Sequence, residues 1–362
     1  MLSVNQAAVC HDEVKSSPPM LLPAEGRTLS GDTGVESACC AAQKDEAVQR
    51  PMRSRRTVKC SETELATPIS MNFNDLTCRV YRLLERLKIL RILRRAPLMR
   101  RSVTHVVKLL LPETRTWIQV QSGISQGMWM RLNLQTEARL WLGEHELTVQ
   151  SALLTAVFPG MVVYDIGAHV GSITLGMARL AGPLGHVVAF EADPETAENL
   201  MENRARNNLT TPIEIVSSAV WSYSSSLISF RRGGKKRSHG GVEMDGQHPV
   251  LGSGEVIQVP AITVDDFVAN GGRVPQLIKI DVEGGEYEVL RGGERLFSLQ
   301  PPLIVAEIHH KQAADQIRPW LLEHQYCSRW IAPAEEFPCC LLAWPKSFKG
   351  SRGIWASEAL GR

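Results

Sequence analysis

Residues 161–171 read MVVYDIGAHVG, an apolar run that leads into Asp165 and is followed by Gly167 and Gly171. A helical pattern, SITLGMARLAG, comes directly after this run. The order predicts a buried β-strand, a tight turn and an α-helix. A glycine after a buried strand lets a ligand approach the backbone, and the helix that follows directs its free N–H groups at that ligand. We therefore expect a small-molecule site at the carboxyl end of this strand.

The turn also indicates which ligand it binds. The dinucleotide fingerprint G-x-G-x-x-G requires glycine where this chain has His169 and Ser172, so a nicotinamide dinucleotide is disfavoured. A nucleoside ligand without a pyrophosphate, such as S-adenosylmethionine, remains. The next apolar segment, HVVAFEADP, ends at Glu191, an acid suited to accept hydrogen bonds from two ribose hydroxyls. The alternative is a purely structural βαβ turn.

From residue 161 onward the chain alternates between strand and helix patterns. We predict strands near residues 161–166, 186–191, 213–217, 276–282 and 303–308, and helices near residues 172–181, 194–207, 263–269, 286–297 and 312–324. Repeated βαβ units indicate a parallel sheet covered by helices on both faces. Residues 117–134 predict a β-hairpin, and two late apolar stretches, 327–331 and 339–344, predict another at one sheet edge. Between the third and fourth core strands lies a segment whose basic, glycine-rich middle has no apolar period, which predicts a solvated exposed loop, with a lid or a contact for an anionic substrate as the alternative.

The amino-terminal third of the chain differs in composition from the rest. Residues 1–75 are poor in aromatic side chains and long apolar runs, which predicts a disordered extension. Residues 76–111 contain ten Lys and Arg against one acid, while the whole chain has a net charge of only +2. Their apolar residues recur at helical spacing, so we predict a basic amphipathic helical segment over 76–112. Its apolar stripe packs on the catalytic domain in the simpler interpretation; the alternative is contact with an anionic membrane surface or a phosphorylated polymer.

The sequence also bears on location. No signal-peptide core and no run of apolar residues long enough for a membrane span is present. The eight cysteines include no C-x-x-C pair, which indicates reduced thiols and neither a zinc framework nor a disulfide scaffold. We expect a soluble cytoplasmic protein, with peripheral membrane contact through residues 76–111 as the alternative, and no nucleic-acid partner.

A second acidic region follows the fourth core strand. In LIKIDVEGGE, Lys279, Asp281 and Glu283 alternate with apolar residues. Ionisable groups in a doubly covered sheet are costly unless the strand end opens into a site, so we predict a functional role for both acids, with a structural ion pair as the alternative. The segment LIVAEIHH brings Glu307 and His309 to the same rim, and His309 is a candidate base. The three acids Asp281, Glu283 and Glu307 could bind a divalent metal together with His309, but without a ligand geometry the sequence assigns no metal ligand.

Six motifs in one order resemble the FkbM family of S-adenosylmethionine-dependent methyltransferases. They are VVYDIGAHVGSITLGMA, VVAFEADPETAENLMEN, SSAVW, ITVDDF, LIKIDVEGGEYEVLRGG and PPLIVAEIHH, within about residues 120–345. The resemblance implies an α/β class I methyltransferase fold, with a doubly wound, mostly parallel seven-stranded sheet in a domain over residues 113–345 and a tail over 346–362. It also implies methyl transfer to a hydroxyl oxygen of a sugar, polyketide or related metabolite, so the partner is a small-molecule or glycan acceptor.

The resemblance carries roles to individual residues. The methionine part of the cofactor is assigned to Asp165, Gly167, Ala168, His169 and Gly171, the ribose to Glu191, followed by Ala192, and the adenine border to Ser218 and Ala219. Asp281 and Glu283 would face the methyl group and the acceptor, with His309 as a further candidate base. Two positions depart from the family pattern: His169 replaces a common asparagine and Ala192 a common proline. The alternative functions are a membrane-attached or scaffold protein without catalysis, and a nicotinamide-dependent oxidoreductase.

Overall fold

The computed structural model of the protein describes residues 114–233, 240–242, 254–331 and 337–348. The extension predicted for residues 1–75, the basic segment over 76–112 and most of the tail over 346–362 lie outside the described residues. Within the described ranges, no helix has the length and apolar character needed to cross a bilayer. The three cysteines in these ranges, Cys327, Cys339 and Cys340, are free thiols.

The helices and strands follow one another in an alternating order after two short amino-terminal strands. In chain order they are β1 (Thr116–Gln119), β2 (Trp129–Leu132), α1 (Ala138–Leu142), α2 (Leu147–Ala156), β3 (Val162–Ile166), α3 (Ser172–Ala181), β4 (His186–Phe190), α4 (Pro194–Arg206), β5 (Ile213–Val216), β6 (Ala219–Val220), β7 (Ser225–Arg231), β8 (Gly241–Val242), β9 (Val256–Ile262), α5 (Val264–Ala269), β10 (Leu277–Ile280), α6 (Glu286–Arg291), α7 (Glu294–Leu299), β11 (Leu303–Ile308), α8 (Lys311–Glu323), β12 (Tyr326–Ile331) and β13 (Cys339–Pro345).

A seven-stranded mixed sheet forms the centre of the fold. Its strands lie in the order β12-β13-β11-β10-β3-β4-β5. All neighbours from β11 to β5 are parallel, whereas β13 pairs antiparallel with both β11 and β12. The strand number, the mostly parallel arrangement and the hairpin at one edge agree with the predictions. The chain reverses order between β3 and β10, and the carboxyl ends of parallel strands on either side of such a point form a crevice where ligands bind.

Helices cover both faces of this sheet. Val163 of β3 belongs to one apolar cluster, which includes side chains of α2 and α3. Its neighbour Tyr164 belongs to a second cluster, formed with side chains of α5 to α8. Because successive side chains of a strand point to opposite faces, β3 is buried on both sides, which explains why parallel strands read as continuous apolar runs.

One predicted helix is wrong. The pattern over 286–297 predicts a single helix, but the structure has two short ones, α6 and α7, separated at Gly292 and Gly293. A Cβ atom at Gly292 would lie 2.2 Å from the backbone oxygen of Trp221. The close approach of a distant segment therefore requires glycine here, and it interrupts the helical run.

The segment between the third and fourth core strands forms additional strands, which the sequence patterns do not predict. This segment contributes β7, β8 and β9 to a second, four-stranded sheet of order β6-β9-β7-β8. Ile228 and Phe230 of β7 are buried with Val259 and Ala261 of β9 in a small apolar cluster. The glycine-rich middle of the segment hid this alternation, and residues 234–239 and 243–253 of that middle lie outside the described residues.

The amino-terminal hairpin is confirmed, since β1 and β2 pair antiparallel. Its strand β2 is bound along its open edge by asparagines of α4. The backbone N–H groups of Trp129 and Arg131 donate to the side-chain oxygens of Asn207 and Asn203 at 2.9 and 2.7 Å, and the Asn207 amide donates back to the Trp129 oxygen at 2.8 Å. The hairpin thus packs against α4, which agrees with an edge-packing role.

Candidate functional site

The turn after β3 is shaped by the neighbouring strand. Gly167 has φ +80°, and a Cβ atom on it would lie 1.7 Å from the backbone oxygen of Asp281. The sequence pattern predicts a glycine that allows a ligand to approach the backbone. The structure gives a different reason, because the backbone that follows β10 occupies the space of a side chain.

Glu191 is held by the backbone of two loops. The N–H of His169 donates to Glu191 Oε2 at 2.8 Å, and the N–H of Asp193 donates to Oε1 at 2.9 Å. His169 has φ +49°, a left-handed conformation in which asparagine and histidine are both enriched. The replacement of the common asparagine therefore keeps the contact, because the backbone makes it. Burial raises the pKa of Glu191 to about 7, against the effect of these two hydrogen bonds.

A cleft of about 670 Å³, including space open to solvent, lies beside this carboxylate. Its walls bring together most of the residues predicted to bind cofactor or acceptor. Those that line the cleft are Gly167, His169, Glu191, Ala192, Ser218, Ala219, Asp281 and Glu283, with Phe190, Val220, Trp221 and Phe230 as apolar neighbours. Asp165, Ala168, Gly171 and His309 are not part of this lining.

Asp165 lies behind the turn and is fully buried. The hydroxyl of Thr174 donates to its Oδ2 at 2.6 Å, and Lys279 Nζ lies 3.4 Å from its Oδ1. Burial raises the pKa of Asp165, while the charge of Lys279 and the hydrogen bond from Thr174 act in the opposite direction. Asp165 therefore positions Lys279 and the helix that begins at Ser172.

Lys279 connects the two halves of the site. Its Nζ donates to the backbone oxygen of Gly167 at 3.1 Å and lies 3.4 Å from Asp281 Oδ2 and 4.0 Å from Glu146 Oε2. Burial alone would lower the pKa of Lys279, but the charges of Asp165, Asp281 and Glu146 raise it above its ordinary value. The ammonium is therefore charged, and it neutralises part of the carboxylate cluster as the sequence predicts.

His309 stands among three carboxylates. Its Nδ1 lies 2.7 Å from Glu286 Oε1, and its Nε2 lies 3.5 Å from Asp281 Oδ1 and 3.4 Å from Glu283 Oε2. Burial would lower the pKa of His309, but the hydrogen bond with Glu286 and the three negative charges raise it to about 10. An imidazolium has no lone pair with which to accept a proton. In this arrangement His309 is less suited to act as a base than the carboxylates that line the cleft.

Glu307 lies near the same group. Burial and the charges of Asp281 and Glu146 raise its pKa to about 7. The structure thus brings together the predicted residues Asp281, Glu283 and His309 with Glu307.

Sequence reasoning missed two acids that complete the cluster. Glu286 is fully buried and holds the ring of His309, and its place in VEGGE, three residues after Glu283, was the signal that could have found it. Glu146 begins α2 with φ +44° and contacts both Lys279 and His145. No strand or helix periodicity singles out Glu146, because it lies in an irregular turn.

Comparison with known proteins finds a methyltransferase family that is similar to part of this chain. The family described as Methyltransferase FkbM domain matches residues 165–327. The hexuronic acid methyltransferase AglP of Haloferax volcanii is 28% identical over 210 residues, which are 54% of this chain and 80% of that protein. The resemblance to FkbM methyltransferases that the six motifs predict is thereby confirmed over residues 165–327.

Solved structures of other proteins were also matched. A methyltransferase FkbM from Methylobacillus flagellatus aligns with a TM-score of 0.38 and 16% identity over 58% of this chain and 48% of that one. The Aeropyrum pernix fibrillarin in complex with S-adenosyl-L-methionine aligns with a TM-score of 0.35 and 12% identity over 54% of this chain and 73% of that one. This chain thus spans about half the length of the Methylobacillus protein.

Proposed function

We propose that this chain, whose residues 165–327 match the FkbM methyltransferase domain, transfers a methyl group from S-adenosylmethionine to a hydroxyl oxygen of a sugar. One observation carries the proposal. A single cleft is lined by Glu191, Ser218 and Ala219 on one side and by Asp281 and Glu283 on the other. A nucleoside and a hydroxyl acceptor would therefore meet in one enclosed space.

The first side of the cleft fits a nucleoside. Each oxygen of the Glu191 carboxylate accepts one backbone hydrogen bond and retains capacity for another, which the two ribose hydroxyls would use. Phe190, Val220 and Trp221 provide apolar surface for a purine ring. S-adenosylmethionine, when bound here, supplies a methyl group that is already activated by the positive charge on sulfur.

The second side of the cleft fits an acceptor that must lose a proton. Asp281 would accept a hydrogen bond from the acceptor hydroxyl and hold its oxygen in line with the methyl carbon. As that oxygen gains the methyl group, its proton would pass to the Asp281 or Glu283 carboxylate. The proposal assigns the base to these carboxylates in preference to His309, because both line the cleft.

A sugar is the acceptor class that we favour. The relative from Haloferax volcanii is named for a hexuronic acid, which supports a sugar over a polyketide or another metabolite. A cytoplasmic location and peripheral membrane contact through residues 76–111 are further proposals. Flotation of liposomes with the full chain, and with a chain that lacks residues 76–111, would test the membrane contact, since equal partitioning of the two would contradict it.

The experiment has two arms. Calorimetric titration of the full chain with S-adenosylmethionine and with NADH should give heat for the first ligand only. Incubation with labelled methyl donor and a panel of uronate-containing and neutral oligosaccharides should then give a labelled sugar. Absence of both heat and product would overturn the proposal. Binding of the methyl donor without transfer to any sugar or cell-extract fraction would favour a scaffold that retains the fold without catalysis.

A further inference from the structure

The acceptor side of the site contains more negative than positive charge. Among the described residues, six carboxylates surround a small number of cationic groups. The acids are Glu146, Asp165, Asp281, Glu283, Glu286 and Glu307, and the cationic or protonatable groups within their reach are Lys279, His309 and His145. Buried carboxylates in excess are costly unless they coordinate a cation or gain protons. The proposed acceptor class includes sugars that are themselves anionic, and the excess negative charge would repel such a sugar.

Three of these side chains have the spacing of metal ligands. Asp281, Glu307 and His309 each offer one ligand atom, and these atoms all lie within 4.8 Å of one another. Two ligand atoms that are each about 2.1 Å from one ion stand at most about 4.2 Å apart. Side-chain movements of about half an ångström would therefore let the three atoms bind one ion.

A contact with Glu286 orients the ring of His309 for metal binding. The Nδ1 atom of His309 is held at 2.7 Å by Glu286, whose side chain is fully buried in the sheet-facing helix α6. The Nε2 atom consequently faces Asp281 at 3.5 Å. Histidine ligands of metals are characteristically held in this way, with a carboxylate on one ring nitrogen and the metal on the other. The cation would displace the proton that Nε2 carries in its absence. A histidine that served only to pair with surrounding acids would not need a dedicated buried carboxylate on its far side.

Glu307 provides the third indication of a metal site. It lies at the end of β11, between the backbone of β10 and β13, and within the described residues it makes no hydrogen bond or ion pair to another side chain. Its carboxylate interacts with the charges of His309 and Lys279 without a hydrogen bond to either, so its oxygens can take a ligand.

We infer that Asp281, Glu307 and His309 bind a divalent cation next to the acceptor side of the cleft, with Asp281 as the one of the three that lines the cleft. Two carboxylate oxygens and one imidazole nitrogen suit Mn²⁺ or another first-row ion better than Ca²⁺, which prefers oxygen ligands alone. Three protein ligands leave coordination positions for water or for oxygens of an acceptor. This second role rests on the proposed function: the ion would bind the acceptor hydroxyl, lower its pKa and offset the repulsion between an anionic sugar and the acids.

The test measures metal binding directly. The full chain, stripped with a chelator, is titrated with Mn²⁺ and the free ion is followed by electron paramagnetic resonance. We expect one strong Mn²⁺ site per chain. Glu307→Gln should weaken it about 10- to 100-fold, since loss of even an outer partner of a metal ligand has an effect of this size. The matched control is Glu323→Gln, an exposed acid at the end of α8, which should bind Mn²⁺ as the unmodified chain does.

His309→Gln is a second variant with the same expected loss, and thermal unfolding of both variants establishes that they are folded. The inference is overturned if no strong Mn²⁺ site is found, or if Glu307→Gln binds Mn²⁺ like the control. Calorimetry with S-adenosylmethionine separates this outcome from failure of the proposed function. Binding and transfer that persist in chelator refute the metal site alone, whereas a Glu307-dependent Mn²⁺ site without binding of the methyl donor refutes the function alone.

Discussion

The two sides of the cleft are organised by different means. On the nucleoside side, backbone N–H groups of two loops hold Glu191, so the geometry depends on the course of the chain. On the acceptor side, Asp281, Glu283 and Glu286 converge on His309 through side chains alone. The first side is complete in itself, whereas the second retains excess negative charge. A nucleoside site built on backbone contacts and an acceptor site built on side-chain contacts therefore share one sheet edge, with Lys279 between them.

Replacement of Lys279, the cation that lies between the two sides of the cleft, should destabilise both sides. Lys279→Met removes a 2% exposed ammonium from between Asp165 and Asp281 and leaves two buried carboxylates without their cation. We expect a loss of about 3–5 kcal/mol in the free energy of unfolding, measured by urea denaturation. Lys311→Met, which removes an exposed ammonium from a surface pair, is the control and should change stability by at most about 0.5 kcal/mol. Equal stability of the two variants would contradict the bridging role of Lys279.

The turn that precedes the nucleoside side should be sensitive to one methyl group. Gly167→Ala places a Cβ atom 1.7 Å from a backbone oxygen at φ +80°, so we expect a loss of about 3 kcal/mol or more from overlap and strain together. Gly127→Ala is a close control, because Gly127 has φ +82° but no atom within 4 Å of the added Cβ. Its expected cost is the conformational part alone, about 1–2 kcal/mol. Denaturation midpoints of the two variants measure the difference, and a similar midpoint would remove the steric argument.

A substitution on the acceptor side should reduce methyl transfer and leave the affinity for S-adenosylmethionine little changed. Asp281→Ala should reduce methyl transfer by at least about 100-fold, because the acceptor loses its orienting and proton-accepting group. The affinity for S-adenosylmethionine, measured by calorimetry, should change little. Asp315→Ala removes an exposed acid from α8 and should leave both quantities unaltered. An Asp281→Ala variant that still transfers methyl groups would exclude Asp281 from the reaction.

The smallest expected effect concerns the pH dependence of the nucleoside side. The pKa of Glu191 is about 7 in the folded chain, raised by burial and by the charge of Asp193 and lowered by hydrogen bonds and by Lys279. The ionised carboxylate is the stronger acceptor for ribose hydroxyls, so affinity for S-adenosylmethionine should rise about tenfold between pH 6 and pH 8. Glu191→Gln should show no such rise. Parallel pH profiles for the two proteins would assign the dependence to another group.

The same raised pKa has a consequence for stability of the free chain. Between about pH 4.5 and 7 an unfolded Glu191 has lost its proton while the folded one retains it. The contribution of Glu191 to the free energy of unfolding therefore falls as pH rises through this window and is constant above it. In Glu191→Gln this component of the pH dependence should disappear.

Local patterns predict the parts of the fold that are determined locally. The apolar run before Asp165 and the helical pattern after it correspond to β3 and α3, because a strand buried on both faces and an amphipathic helix leave a direct imprint on their own residues. The interruption between α6 and α7 depends on the backbone of Trp221, some seventy positions away, and no local pattern reports it. The alternation of apolar and polar residues in β7 and β9 was present in the sequence, but the glycine-rich residues between the two strands obscured it.

The candidate site likewise has residues that the local sequence predicts and residues that it does not. Glu191 and Asp281 could be predicted because each ends a strand at the same sheet edge. The orientation of His309 could not, since it depends on Glu286, which reaches it from another element after folding. The partnership between Lys279 and Glu146 likewise depends on how the segment before β3 packs on the sheet.

The asparagines along α4 have one further consequence. A strand such as β2 normally displays unpaired backbone groups along its outer side, and these groups can recruit a strand from another molecule. Here amide side chains of a helix, Asn203 and Asn207, occupy the hydrogen-bonding positions that an added strand would need. The helix thereby protects the hairpin against strand-to-strand self-association, and it does so without adding a strand to the sheet.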